Sequence, residues 1–364
     1  IKIEDTSSPD YMRFYPPYIK DQSAGFLAVN RSKRSLAVDL KADAGRKIFF
    51  KLIETADIVI EPFRAGVMEK MGMGYAMACE VKKDIIYISL TGYGQDGPYS
   101  THAGHDINFI GYAGILAATG TAQTGPVIPG PQLGDIAGGA YMTVIGCLAA
   151  LWARKTTGQG QQVDVAMLDG LLPLMTLQMA HAWATGITFA PDELPLSGGL
   201  ACYGAYKCRD GKYMALGILE EKFWKKFCEL AGRPDWMGQF LVRGEDARSL
   251  RVEIAALFLT KTRDEWTQLA SLLDICLTPV LATEEIEQNP HIQARGMIYE
   301  REHPVCGMLK GIGVPIKFSQ TPARPSGPAP SLGRDTAAIL EEIGYSPNDI
   351  EALKKEGFIL TVDI

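Results

Sequence analysis

The first half of this chain alternates short β-branched runs with amphipathic helical periods, and few folds accommodate that alternation. Ser35 to Leu40 reads as a strand. Ala42 to Ala56 carries a helical period through Ile48, Phe49, Leu52 and Ile53. Asp57 to Glu61 reads as a short buried strand, Tyr75 to Val81 as a helix, and Asp84 to Leu90 as a strand containing Ile85, Ile86 and Ile88. Helices are predicted from about His105 and about Asp135, then a strand over Gln161 to Ala166 and a helix over Leu168 to Ala184. Strands separated by helices pair in parallel, so the pattern predicts an α/β fold with a parallel sheet covered by helices.

From about Leu196 the pattern changes. Ala201 to Lys207 and Tyr213 to Ile218 flank Arg209-Asp210-Gly211-Lys212, a hairpin turn signal. Helices are predicted at Lys222–Leu230, Leu250–Thr260 and Arg263–Leu273, which together read as a smaller α+β domain. The chain turns extended near Ile298. It stiffens between Thr321 and Ser331 at Pro322, Pro325, Pro328 and Pro330, and closes with helices at Thr336–Ile343 and Asn348–Lys355. The expected organisation is a large domain over 1–190, a small domain over 196–300 and a return to the large domain over 301–364. The opening Ile1-Lys2-Ile3-Glu4-Asp5 reads as the end of a strand already under way, so a preceding segment is expected.

Composition narrows the function. The chain has 364 residues, of which 47% are hydrophobic, enough for a large core. Its net charge of −6 argues against nucleic-acid binding through a basic face. The seven cysteines, Cys79, Cys147, Cys202, Cys208, Cys228, Cys276 and Cys306, include no C-x-x-C pair, and no histidine lies at zinc spacing. A reducing, cytoplasmic compartment and no metal are expected. The apolar run Gly138 to Trp152 reads as too short for a bilayer, and no signal peptide is recognised, so no membrane partner is expected.

The candidate chemistry centres on Gly104-His105-Asp106-Ile107-Asn108 and on Gly134-Asp135 further along. An imidazole and a carboxylate are the side chains best suited to moving a proton near neutral pH. Each precedes an apolar run that reads as helix, placing it where backbone N–H groups are unpaired. Spacing alone also fits a plain helix cap at Asp135 and a hydrogen-bonded structural role for His105. Gly92-Tyr93-Gly94-Gln95-Asp96-Gly97 matches G-x-G-x-x-G, but Pro98-Tyr99-Ser100-Thr101 follows where a dinucleotide site needs a helix. His102, His181, His291 and His303 have no acid or metal partner at useful spacing and read as structural or surface residues.

Ordered matches across nearly the whole chain resemble one known family. They include Asn30 to Lys41, Ile60 to Lys70, Thr91 to Pro98, Gly104 to Asn108 and Leu133-Gly134-Asp135. Gly158 to Gln161, Gly217 to Glu220, Cys276 to Val280 and Ala329 to Gly333 extend the series. The chain looks like the alpha-methylacyl-CoA racemase branch of the family III CoA-transferases. The resemblance implies a large doubly wound parallel-sheet domain with a smaller α+β domain, in an interlocked homodimer whose sites are shared. It implies a catalytic carboxylate at Asp135, a catalytic histidine at His105, a further active-site Glu220 and a pocket Cys276. For the CoA portion it implies Val38, Asp39, Leu40, Lys41, Arg64 and Lys70, and the segment Gly104, His105, Asp106, Ile107, Asn108 and Phe109.

The expected reaction is racemisation or epimerisation of a 2-methylacyl-CoA in lipid metabolism, through an enolate. No prosthetic group is expected, coenzyme A being part of the substrate. His105 and Asp135 would exchange the α-proton on opposite faces, and free N–H groups beyond Asp135, at Gly138 and Gly139, would hold the enolate oxygen. The alternative is a CoA-transferase in which Asp135 carries the acyl group as nucleophile; Asp135 alone suits either chemistry, and His105 distinguishes the racemase branch.

Overall fold

The computed structural model describes residues 1–188, 190–324 and 327–362. Pro325 of the expected stiff connector lies outside them. The α/β expectation holds in the first half, where the buried central strands Ser35–Val38 and Ile86–Thr91 form parallel ladders with their neighbours. Ile86–Thr91 is the centre of one three-stranded parallel sheet, flanked by Ile58–Glu61 and Gln161–Ala166. Ser35–Val38 centres a second, mixed three-stranded sheet, parallel to Lys2–Glu4 and antiparallel to Ile359–Leu360. Among the described residues the parallel strands therefore form two three-stranded sheets, and the outer edges of Lys2–Glu4 and Ile58–Glu61 carry no ladder partner. The helix Asp43–Thr55 bridges them: Ile48 and Leu52 pack with Leu36, Val38 and Ile359, while Phe49 and Ile53 pack with Ile85 and Tyr87.

Residues from Leu200 to Leu277 build a separate core around Trp224, Phe227, Trp236, Phe258 and Trp266, each essentially fully buried. Its sheet is antiparallel, with Tyr203–Lys207 paired to Tyr213–Gly217 through the predicted hairpin, and Tyr213–Gly217 paired to Leu277–Pro279. Ile298–His303 and Gly307–Ile312 form a further hairpin, where the sequence pattern indicates only extended chain.

Three elements depart from the sequence reading. The helix expected over Leu168–Ala184 is broken into Met167–Leu171, a tighter 3-10 turn Leu172–Met175, and Thr176–Thr185. Pro173 explains the break, since proline removes an N–H and crowds the preceding turn. The helix expected at Leu250 begins at Gly244, with Glu245 and Asp246 in a polar first turn that apolar periodicity does not reveal. The apolar run that reads as too short for a bilayer belongs to a continuous helix Gly134–Thr157 of 24 residues, long and apolar enough to cross a membrane by length and composition.

That helix starts with a wide π-helical segment, Gly134–Tyr141, before continuing as an α-helix to Thr157. One side lies on the parallel sheet, where Met142, Cys147 and Leu151 pack near Ile86, Ile88 and Val165. Its start meets Met167–Leu171 at backbone distance. A Cβ at Gly138 would lie 2.3 Å from the Met167 carbonyl oxygen, and one at Gly170 would lie 2.3 Å from the Gly138 carbonyl oxygen. Neither position has room for a side chain without separating the two segments. We predict that Gly138→Ala destabilises the protein by about 1–3 kcal/mol, the usual range for overpacking. Thermal unfolding measures this, and an unchanged midpoint would show that the two backbones separate at little cost.

Candidate active site

An open cleft of about 550 Å³ brings the two predicted proton-transfer groups together. His105 and Asp135 line it with Arg64, Asn108, Phe109, Gly104 and the loop Thr91-Gly92-Tyr93. His105 is placed by the local sequence. It stands in extended conformation immediately before the helix Asp106–Tyr112, and its backbone N–H donates to the Asn108 side-chain oxygen at 3.0 Å. The Gly-His-Asp-Ile-Asn order thus encodes a helix start whose first free residue is the histidine. Gly104 is required by close approach, because a Cβ there would meet the Phe109 ring at 2.6 Å and the Tyr93 hydroxyl at 2.8 Å. Phe109 is buried against Tyr93, with ring centroids 5.2 Å apart.

Asp135 is the second residue of the π-helical segment. Its carboxyl is held above the usual aspartate range, first by the atoms packed around it and then by the charge of Asp106; His105 acts in the opposite direction. Such a group is easier to protonate than a free aspartate, as an acid–base residue should be.

The sequence suggests an oxyanion hole in free N–H groups beyond Asp135, at Gly138 and Gly139. The structure corrects this. Both glycines are buried in the close contact with Met167–Leu171, and the N–H groups of Gly134 and Asp135 donate to the Asp106 carboxylate.

Of the residues expected at coenzyme A, Arg64, Gly104, His105, Asn108 and Phe109 line the cleft. Arg64 sits beyond a turn fixed by the buried Glu61 side chain, which accepts the Phe63 N–H at 2.9 Å. Burial pushes the Glu61 carboxyl upward. Val38 is buried in its strand, and Asp39 turns the chain by accepting the Lys41 N–H. Lys41 and Lys70 are exposed, and neither they nor Leu40, Asp106 and Ile107 line this cleft.

Glu220 and Cys276 are also outside it. The two lie at one end of the antiparallel sheet: Gly217 donates its N–H to the Cys276 carbonyl, and the chain then runs to Glu220, which immediately precedes the helix Glu221–Ala231. Both are exposed, and Cys276 opens onto a second cleft beside Tyr203, Arg248 and Arg251. A third, more apolar cavity near Leu27, Tyr299 and Leu309 holds none of the expected site residues.

Two cleft residues escape the sequence reading. His102, which reads as a structural or surface residue, lines the cleft and packs its ring 5.1 Å from Tyr99. Its position three residues ahead of His105 on a Gly-rich loop is the one signal that could reveal it. Tyr11 reaches the cleft from the N-terminal segment, where no periodicity marks it.

The model of CoA-transferase family III matches residues 1–336. The chain belongs to that family. It is 33% identical to human alpha-methylacyl-CoA racemase, over 91% of this chain and 86% of the relative. It is equally 33% identical to succinyl-CoA:mesaconate CoA-transferase of Haloarcula hispanica, over 97% of this chain and 91% of the relative. A CAIB/BAIF family protein from Brucella suis superposes with a TM-score of 0.80 at 28% identity, covering 94% of this chain and 90% of that one. The chain is therefore an enzyme of the family III CoA-transferase and racemase type, and identity alone does not separate the two activities.

The raised carboxyl has a consequence for stability. A carboxyl whose folded pKa exceeds its unfolded one opposes folding wherever it is ionised. Asp135→Asn should therefore raise the thermal midpoint at pH 7. The gain should shrink as pH falls through the folded pKa and vanish below the unfolded one. A midpoint difference that stays constant over that range would show that Asp135 is not desolvated in the fold.

Proposed function

We propose that this enzyme racemises or epimerises 2-methylacyl-CoA thioesters by moving one proton. The supporting observation is the pairing of His105 with Asp135 in one cleft. A transferase needs only the carboxylate; an inverting proton transfer needs two groups on opposite faces of the α-carbon. One group takes the α-proton, and the C–H electron pair moves into the enolate. The other group then delivers a proton to the opposite face, and the roles exchange in the reverse reaction. Arg64, at the cleft wall, suits a phosphate of coenzyme A, with Lys41 and Lys70 as further cations along the chain. The reaction needs no prosthetic group or metal, and its setting in this reading is a reducing cytoplasm.

The same reading makes residues 196–300 a smaller domain whose Glu220 and Cys276 complete the site of a second copy. The apolar face of Gly134–Thr157 supports an association of this kind. Tyr141, Val144, Ile145, Leu148 and Trp152 form one stripe, each 56–72% exposed. Contiguous exposed apolar surface of this kind marks an interaction site. We propose that a second copy of this chain covers it, in an interlocked dimer.

Exchange tests the chemistry. One epimer of a 2-methylacyl-CoA in D₂O should gain deuterium at the α-carbon with no acceptor acid present. Exchange only when a free carboxylate is added, together with an acyl adduct on Asp135 by mass spectrometry, would establish the transferase instead.

Complementation tests the shared site. His105→Ala and Glu220→Gln should each be inactive alone and recover part of the activity as a heterodimer, because one site then carries both changes and the other neither. Heterodimers that form but stay inactive would mean that each chain builds its own site.

A further inference from the structure

The side chain after His105 has no part in the proton transfer above, yet it joins the two halves of the cleft. Asp106 is the first residue of the helix Asp106–Tyr112. Its Oδ1 accepts the backbone N–H of Gly134 at 2.6 Å and of Asp135 at 3.1 Å. These donors lie at the start of the long helix, where no carbonyl of the helix reaches them. Hydrogen bonds to an ionised acceptor are short and strong, and the helix start favours negative charge. A single oxygen therefore ties the backbone of one reacting residue to the residue next to the other.

We propose that Asp106 is a positioning residue that clamps the backbone of Asp135 to the helix start carrying His105, and so fixes the gap between the two reacting side chains. The inference rests on the proton-transfer reading of that pair. A fixed gap matters because a proton crosses only at hydrogen-bond distance, and small misplacements are costly in rate. The clamp also sets a negative charge beside Asp135, the second cause of its raised pKa after packing. The cleft presents His105, Arg64, His102, Tyr93 and Tyr11 as the other titratable or charged groups. Asp169 on Met167–Leu171 and Asp164 on Gln161–Ala166 belong to elements packed against the same segment; Asp164 acts on Asp169, and neither is among the causes of the shift at Asp135.

Two substitutions separate geometry from charge. Asp106→Asn keeps an oxygen for both N–H groups and removes the charge. Asp106→Ala removes both. The alanine variant should lose at least tenfold in kcat for α-deuterium exchange with KM within twofold, while the asparagine variant recovers most of that loss. The acid limb of the asparagine variant's pH profile should move to lower pH. A stability cycle reads the same contact without any activity: the rise in thermal midpoint on Asp135→Asn should shrink in the Asp106→Asn background. Failure of exchange in the unaltered enzyme would count against the proposed reaction, and the stability cycle would still decide the contact. Equal kcat for folded alanine and asparagine variants, or a midpoint gain independent of Asp106, would overturn the inference.

Discussion

The site depends on a place where two backbones touch. Gly138 and Gly170 let the start of the long helix lie directly on Met167–Leu171, the turn that leaves the parallel strand Gln161–Ala166. The sheet fixes that turn, the turn fixes the helix start, and the helix start carries Asp135. Interiors pack too densely to absorb an added methyl group without moving something. The wide π-helical segment is the local form of the same constraint, in keeping with the frequent use of such segments at functional sites.

The cleft itself is made from chain ends rather than from the middles of elements. His105 precedes a helix, Asp135 begins one, and Arg64 follows a strand. Ends of elements present unpaired backbone groups and exposed side chains, whereas the central strands Ser35–Val38 and Ile86–Thr91 are buried along almost their whole length. Glu61 marks the boundary: its carboxylate is spent on a backbone N–H, and three residues later Arg64 faces the opening.

Much of this is legible in the order of the amino acids. Sequence pattern locates Tyr75–Val81 and Gln161–Ala166 to the residue, each opening just after a glycine, Gly74 and Gly160. Proline at 173 is visible too, yet the apolar period running through it outweighs the local rule. Residue type and helix-start position make His105 and Asp135 candidates, and the family resemblance is what makes them a catalytic pair. The use of particular backbone groups is not legible in this way. Nothing in the sequence says that the Asp106 carboxylate takes the N–H of Gly134 and Asp135, or that Gly138 and Gly139 are spent on packing. Those contacts join segments that only the tertiary fold brings together. His102 escapes notice for another reason: its contacts with the ring and carbonyl of Tyr99 lie within one irregular loop, where no period marks a cleft residue.

The stripe Tyr141, Val144, Ile145, Leu148 and Trp152 lies on the same rigid rod as Asp135. A helix transmits a shift at one turn to the next with little loss, so whatever shields that stripe from water also bears on the acid at its head. Association and acid strength then become linked quantities. In the proposed dimer, dilution would expose the stripe, and the proton affinity of a side chain a few turns away would change with protein concentration.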